Sequence, residues 1–325
     1  MTKYEKEIYQ LHWYGRFGNR VFLYIFVNEW ARTNNGMGYL PSSWEGDILF
    51  EKSPYCKIVE DDTLRLEINQ THHSMDNKPY RKGALERYNQ RTNTKILYLD
   101  TRNINNQNKT AFDDLNCMYF RSMHKKMNEN EIKKLFHLKK EVLDSKLYQD
   151  ILKHKGTYVV AHLRRGDIAS PSYKGAHSMI TKDSYLDAFK KYGVSEDEVI
   201  WLSDDKTQRT PNPFMFTKDY YKMSKGHRWS YPQGECHQQN EIIFDFLIEL
   251  LLLKFAKIIF RANSSFSWFG AFISEAEVYS PVITSKPPNL RNSFYKMDCD
   301  FVPGNKEGFM GSKEEGFGEI FFGDE

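Results

Sequence analysis

Three short stretches hold the residue types that could grip an anion: HLRRGD at 162–167, SDD at 203–205 and ANSSFSW at 262–268. Each directly follows an apolar run, TYVVA, EVIWL and KIIFR in turn. A guanidinium is always charged, and its forked donors suit bidentate contact with phosphate better than an ammonium does. Adjacent residues of a strand point to opposite sides. Arg164 is therefore expected to face a crevice in register with His162, and Arg165 to turn away toward a carboxylate such as Asp167. An isolated RGD more often holds a turn through its own Arg–Asp pair; the preceding strand and the company of His162 favour a ligand site here.

ANSSFSW supplies a different device. Asn263, Ser264 and Ser265 are good helix N-caps, and the start of a helix presents backbone N–H groups with a partly positive dipole end. Phosphate oxygens fit there. An ordinary capped helix is the commoner use of such a cluster, and Phe266, Trp268 and Phe269 are ordinary core residues, although Phe266 could border a nucleotide. Asp204, Asp205 and Glu249 are carboxylates placed to accept from a guanine edge or a ribose hydroxyl, against the usual role of surface acids in solvating a turn.

No metal is expected. Asp298-Cys299-Asp300 spells a DxD but sits in an irregular late segment, and three residues match by chance often. His72-His73 and Cys236-His237 lack third and fourth ligands. The four cysteines, Cys56, Cys117, Cys236 and Cys299, form no CxxC pair, which fits a reducing, cytoplasmic compartment. Formal net charge is only +3, from 46 basic against 43 acidic residues, so general nucleic-acid binding is excluded and any anion site must be local. No signal peptide or membrane anchor is expected at the N-terminus. The apolar run at 242–260 is broken by Asp245, Glu249, Lys254 and Lys257, each costly at a bilayer centre, so it reads as a buried helix leading into a strand.

Positioning these groups requires two lobes, since 325 residues exceed what one core usually supports. The first, 1–155, opens with a strand in EIYQLHWY, a tight loop GRFGN and a helix in RVFLYIFVNEWARTNN that Gly36 stops. Residues 40–110 read as irregular, with strand candidates DILF, YCKIVE and KILYLD, and helices follow in NENEIKKLFHLKKEVLD and SKLYQDILKHK. The second lobe, 156–325, alternates strand TYVVAHL, helix SYLDAFKKYG, strand EVIWLSDD, helix EIIFDFLIELLLLKFA, strand KIIFRA and helix SSFSWFGAFISEAEVY. Such alternation predicts a parallel sheet with helices on both faces. All three candidate stretches then share its carboxyl edge, where ligands of open α/β sheets bind.

With these segments assembled, the chain resembles the α1,2-fucosyltransferase family (glycosyltransferase family 11-like) within the wider group of GDP-fucose enzymes. GRFGNR, with Arg16, Gly18 and Asn19, is similar to that family's GRLGNQ; His162, Arg164, Arg165, Gly166 and Asp167 match its HxRRGD, and SDD and NSSFSWFGA follow in order. The resemblance implies an α/β fold of two Rossmann-like lobes of GT-B type, with the donor on a parallel sheet in the C-terminal lobe and the acceptor on the N-terminal side. It implies an inverting transfer of L-fucose from GDP-fucose to a glycan hydroxyl, most readily in α1,2 linkage, without a metal or other cofactor. Arg164 falls to the donor's β-phosphate with His162 close by, the serine block to the diphosphate, Asn19 to the reaction centre and Glu249 to guanosine. Three positions depart from the pattern: Arg20 replaces Gln, Glu249 stands for Asp and Phe269 for a second Trp.

Bond cleavage would leave positive charge on the sugar and negative charge on the diphosphate, which a fixed arginine and helix-end amides stabilise. Asp167 is the nominee for a general base, although pairing with Arg165 would lower its pKa. Competing expectations are a protein O-fucosyltransferase-like enzyme and a non-catalytic GDP-sugar or glycan-binding protein. A sulfotransferase is disfavoured because GRFGNR lacks the Lys and Ser/Thr character of a phosphate loop.

Overall fold

A computed structural model describes residues 6–10, 17–40, 44–58, 86–87, 89–90, 97–98, 109–112, 129–165, 179–205, 207–210, 242–283 and 296–304. They divide into two compact units at Lys140–Glu141. The helix over SKLYQDIL therefore falls on the second side of that division, ahead of the boundary set at 155 from sequence.

In the first unit, β1 (Glu7–Gln10), α1 (Phe17–Thr33), β2 (Met37–Leu40), α2 (Gly46–Leu49), β3 (Cys56–Ile58), β4 (Leu97–Tyr98), β5 (Lys109–Phe112) and α3 (Glu129–Lys134) follow in order, and α4 (Lys140–Leu143) spans the division. The sheet runs β3-β2-β1-β5-β4 and every pairing is parallel. Helix α1 is buried around nearly its whole circumference, with Val21, Leu23, Ile25, Val27 and Trp30 and also Arg20, Asn28 and Glu29 buried. It approaches β2 so closely that a Cβ on Gly38 would lie 2.3 Å from the Val27 Cγ1. Asn35 turns left-handed at φ 50° and Gly36 N–H closes onto the Ala31 carbonyl at 2.8 Å, which ends α1 where the sequence indicated.

Two expectations for this unit change. Helix α1 begins at Phe17, so Gly18 and Asn19 lie in its first turn and not in a loop. DILF is not a strand: Gly46–Leu49 is helical and Phe50 makes only a single bridge to Leu138. Leu49 and Phe50 are neighbours and both buried, which a turn allows and the two-residue alternation of a half-buried strand does not. The sequence also passes over β2 and β5, whose MGYL and KTAF are too short and too mixed to show a period.

The second unit contains α5 (Lys146–Leu152), β6 (Val159–Leu163), β7 (Met179–Ile180), α6 (Lys182–Tyr192), β8 (Val199–Ser203), α7 (Ile242–Phe255), β9 (Ile258–Phe260), α8 (Ser265–Phe272), β10 (Glu277–Ile283), β11 (Lys296–Met297) and β12 (Cys299–Pro303). Its main sheet runs β12-β10-β9-β6-β8, parallel except for β12 at the edge, while β7 and β11 pair separately. The fold is thus α/β with mainly parallel sheets in both units. Every residue of β6 and β8 is buried, as covering both faces demands. Val159, Ala161, Leu163, Trp201 and Phe260 pack with Tyr185 and Phe189 of α6 on one face. Alternation sends Val160, His162, Leu202 and Ile259 to the other.

Helix α7 packs on α5 and α8. A Cβ on Gly270 would meet Leu253 Cδ1 at 2.5 Å, so the glycine of NSSFSWFGA serves the contact between α7 and α8. Helix α8 is shorter than expected, because SEAEVY leaves it at Phe272 and enters β10 at Glu277. The DxD residues hold the edge strand: Thr181 Oγ1 donates to Asp298 at 2.7 Å and Lys191 pairs with Asp300 at 3.2 Å. Among the described residues no helix is long and apolar enough to cross a membrane.

Candidate functional site

The register of three neighbouring strands assembles the site. Strand β6 lies between β8 and β9, with Leu163 opposite Ser203 and Ala161 opposite Phe260. All three strands run in one direction, so HLRR, SDD and RANSS leave the sheet side by side along its carboxyl edge.

At the end of β6 the two arginines part as alternation requires. Arg164 forms an ion pair with Asp204, each side chain 19 % exposed. The Arg165 guanidinium donates 2.8 Å to the Ile180 carbonyl ahead of α6 and 2.9 Å to the carbonyl of Arg164. Burial pulls its pKa down, while Tyr185 and Asp205 push back. The other oxygen of Asp204 accepts the Arg165 backbone N–H at 2.8 Å, so a side chain from the end of β8 continues the hydrogen bonding where the β6 ladder stops. Asp205 serves its own turn: it accepts from the Thr207 hydroxyl and N–H and from Gln208, contacts that hold its pKa below the usual carboxylate range.

Beyond β9, Ser264 is extended and caps α8 by accepting the Phe266 N–H at 3.3 Å. Buried Ser267 closes the loop, accepting from the Ala262 N–H and donating to the Ala262 carbonyl, each at 3.2 Å. Ser265 and Phe266 open the helix half-buried, and the Phe266 ring stands edge-on to His162, centroids 5.8 Å apart. The Asn263 side chain is buried, and neither polar atom of its amide has a hydrogen-bond partner among the described residues. Burying such a group unsatisfied costs about 1–3 kcal/mol. On α7, Glu249 stands 3.8 Å from Arg209 in the loop that follows β8.

Two residues of this edge escaped the sequence reading. Tyr185 of α6, fully buried, donates 2.7 Å to the His162 carbonyl and also reaches the Arg261 carbonyl at 3.4 Å, tying the ends of β6 and β9 together. Burial raises its phenol pKa far above the ordinary value. Arg261 is entirely buried, and burial draws its pKa down to about 9, which still leaves it a cation at neutral pH. An arginine closing the apolar run KIIF was the available signal; Tyr185 gave none, since a tyrosine on an amphipathic helix reads as core.

Gly18 and Asn19 belong to the first unit. Gly18 is buried in the first turn of α1 and Asn19 is half-buried. Beside them Arg20, the departure from Gln, is buried against Glu45, whose pKa burial raises despite that partner. Glu45 follows β2, and Arg20 follows β1, so this pair also sits at a carboxyl edge, that of the first sheet. Arg16 and Asp167 lie outside the described residues, as do His72, His73, Cys236 and His237.

No protein-family model matches the chain. It is 25% identical over 149 residues to the O-antigen biosynthesis glycosyltransferase WbnK of Escherichia coli, a match covering 44% of this chain and 44% of that protein. The match thus spans less than half the length of that curated relative. Among solved structures it is similar to the fucosyltransferase NodZ from Bradyrhizobium, with TM-score 0.48, 11% identity, and 92% of this chain and 99% of that chain covered. It is also similar to an Arabidopsis thaliana FUT1 mutant in complex with GDP, with TM-score 0.46, 12% identity, and 91% and 73% covered.

Proposed function

We propose that the protein is a glycosyltransferase that moves L-fucose from GDP-fucose to a hydroxyl of a glycan acceptor, inverting the anomeric carbon, without a metal, and most readily forming an α1,2 linkage. One observation carries this reading. A fixed arginine at the end of β6 and the capped N-terminus of α8 leave adjacent parallel strands on the same edge, so two groups of different kind suited to an anion stand at neighbouring strand ends. The likeness of GRFGNR, HLRRGD, SDD and NSSFSWFGA to the fucosyltransferase pattern, and the partial match to a glycosyltransferase, support it.

In this reading Arg164 and the first turn of α8, with Asn263, Ser264 and Ser265, receive the diphosphate, and His162 and Phe266 line the approach. Glu249 takes the guanosine. Charge gathers on the diphosphate as the bond to fucose breaks, and donors already fixed in place stabilise it without reorganising. The first unit serves the acceptor, Asn19 belongs to the reaction centre, Arg16 and Gly18 contribute to donor binding, and Asp167 is the candidate to take the acceptor's proton. The scattered cysteines, of which Cys56 and Cys299 are buried, suit a reducing cytoplasm. The test is Arg164→Ala assayed for transfer from GDP-fucose to a glycan panel. Turnover should fall about 10²–10³-fold with the fold retained, and equal turnover of variant and parent would refute the assignment.

A further inference from the structure

Asp204, one of three carboxylates the sequence offered for a guanine edge or a ribose hydroxyl, is engaged by the arginines beside it. Asp204 engages both halves of the arginine tip, the Arg164 guanidinium through Oδ2 and the Arg165 main chain through Oδ1. Its own backbone is braced in turn. The Asp205 N–H donates to Ser203 Oγ at 3.1 Å, and the Asp205 carboxylate fastens Thr207 and Gln208, so the SDD turn is a small closed structure. From behind, the Arg165 guanidinium holds the Arg164 carbonyl to that of Ile180. Main chain and side chain of Arg164 are therefore each held by a separate contact.

We infer that Asp204 is a positioning residue: it acts through Arg164, holding that guanidinium oriented for the diphosphate, and does not itself bind the nucleoside. The physical gain is conformational. An arginine side chain loses up to about 2 kcal/mol of rotamer freedom when fixed, and a guanidinium held by Asp204 does not lose it again when a ligand binds. This inference rests on the GDP-sugar reading above.

Asparagine separates the two contacts of Asp204. Asp204→Asn keeps an acceptor for the Arg165 N–H and removes the charge that holds Arg164. The experiment measures GDP and guanosine affinities by calorimetry for parent, Asp204→Asn and Asp204→Ala, with thermal unfolding alongside. The Asn variant should bind GDP about tenfold more weakly, a loss of 1.4 kcal/mol, with guanosine affinity and melting temperature unchanged. The Ala variant, which also strands the Arg165 N–H, should lose more; if it fails to fold, the Asn variant still decides. A merely structural role would weaken both ligands together and overturn the inference. So would tighter GDP binding by Asp204→Asn, which would mean that Asp204 only neutralises Arg164. A parent that binds guanosine and GDP alongside an unaltered variant defeats this inference alone, whereas a parent that binds neither defeats the GDP-sugar reading with it.

Discussion

The two edges of the second sheet are made differently. At the amino edge, β6, β8 and β9 begin with apolar residues, Val159, Val199 and Ile258, while β10 begins at Glu277, and the chain closes by backbone bonds, Gly156 to Phe255, Lys257 to Tyr158 and Glu277 to Lys257. An ion pair there, Lys155 with Glu275, is exposed. At the carboxyl edge, by contrast, His162, Ser203, Arg261, Asn263 and Ser267 are all buried. Burying polar groups is costly unless they are satisfied, so their concentration on one edge marks where the fold bears that cost.

Substitutions can break this contrast or sharpen it. The largest effect is expected at Arg261. Arg261→Ala empties a large, fully buried position and should lower stability by about 2–5 kcal/mol, read by denaturant unfolding; a loss no greater than at an exposed site would mean that this edge is not specially built. Next is Gly270→Ala, whose new methyl would press into Leu253 and should cost about 1–3 kcal/mol. Ser264→Ala removes the cap of α8 and should cost about 1 kcal/mol, and on the reading proposed here it weakens GDP binding as well. Lys155→Ala at the amino edge should change stability by less than about 0.5 kcal/mol and leave GDP binding untouched. A ligand effect at Lys155 as large as at Ser264 would erase the distinction between the edges.

The sequence made the second unit far more legible than the first. Strands buried on both faces read as continuous apolar runs, TYVVAHL and EVIWLS, and the helices between them have clear stops. In the first unit DILF looked like a strand because four residues carry too little period to distinguish a turn of helix, and β5 has only two apolar residues. The shared edge of HLRR, SDD and NSS followed from strand order alone. What each side chain does there did not. Asp204 accepts the Arg165 N–H just past Leu163 and Ser203, where the pairing of β6 and β8 ends, and Tyr185 joins two strand ends, reaching a carbonyl 76 residues further along the chain. Contacts of that kind depend on register, which spacing along the chain does not encode.

Amide hydrogen exchange with and without GDP tests the central claim most directly, because it reads both edges in one measurement. The account predicts that GDP slows exchange across 161–165, 203–208 and 262–268, and leaves 155–158 and 194–199 as they were. Protection confined to the amino edge, or none at all under saturating GDP, would contradict it.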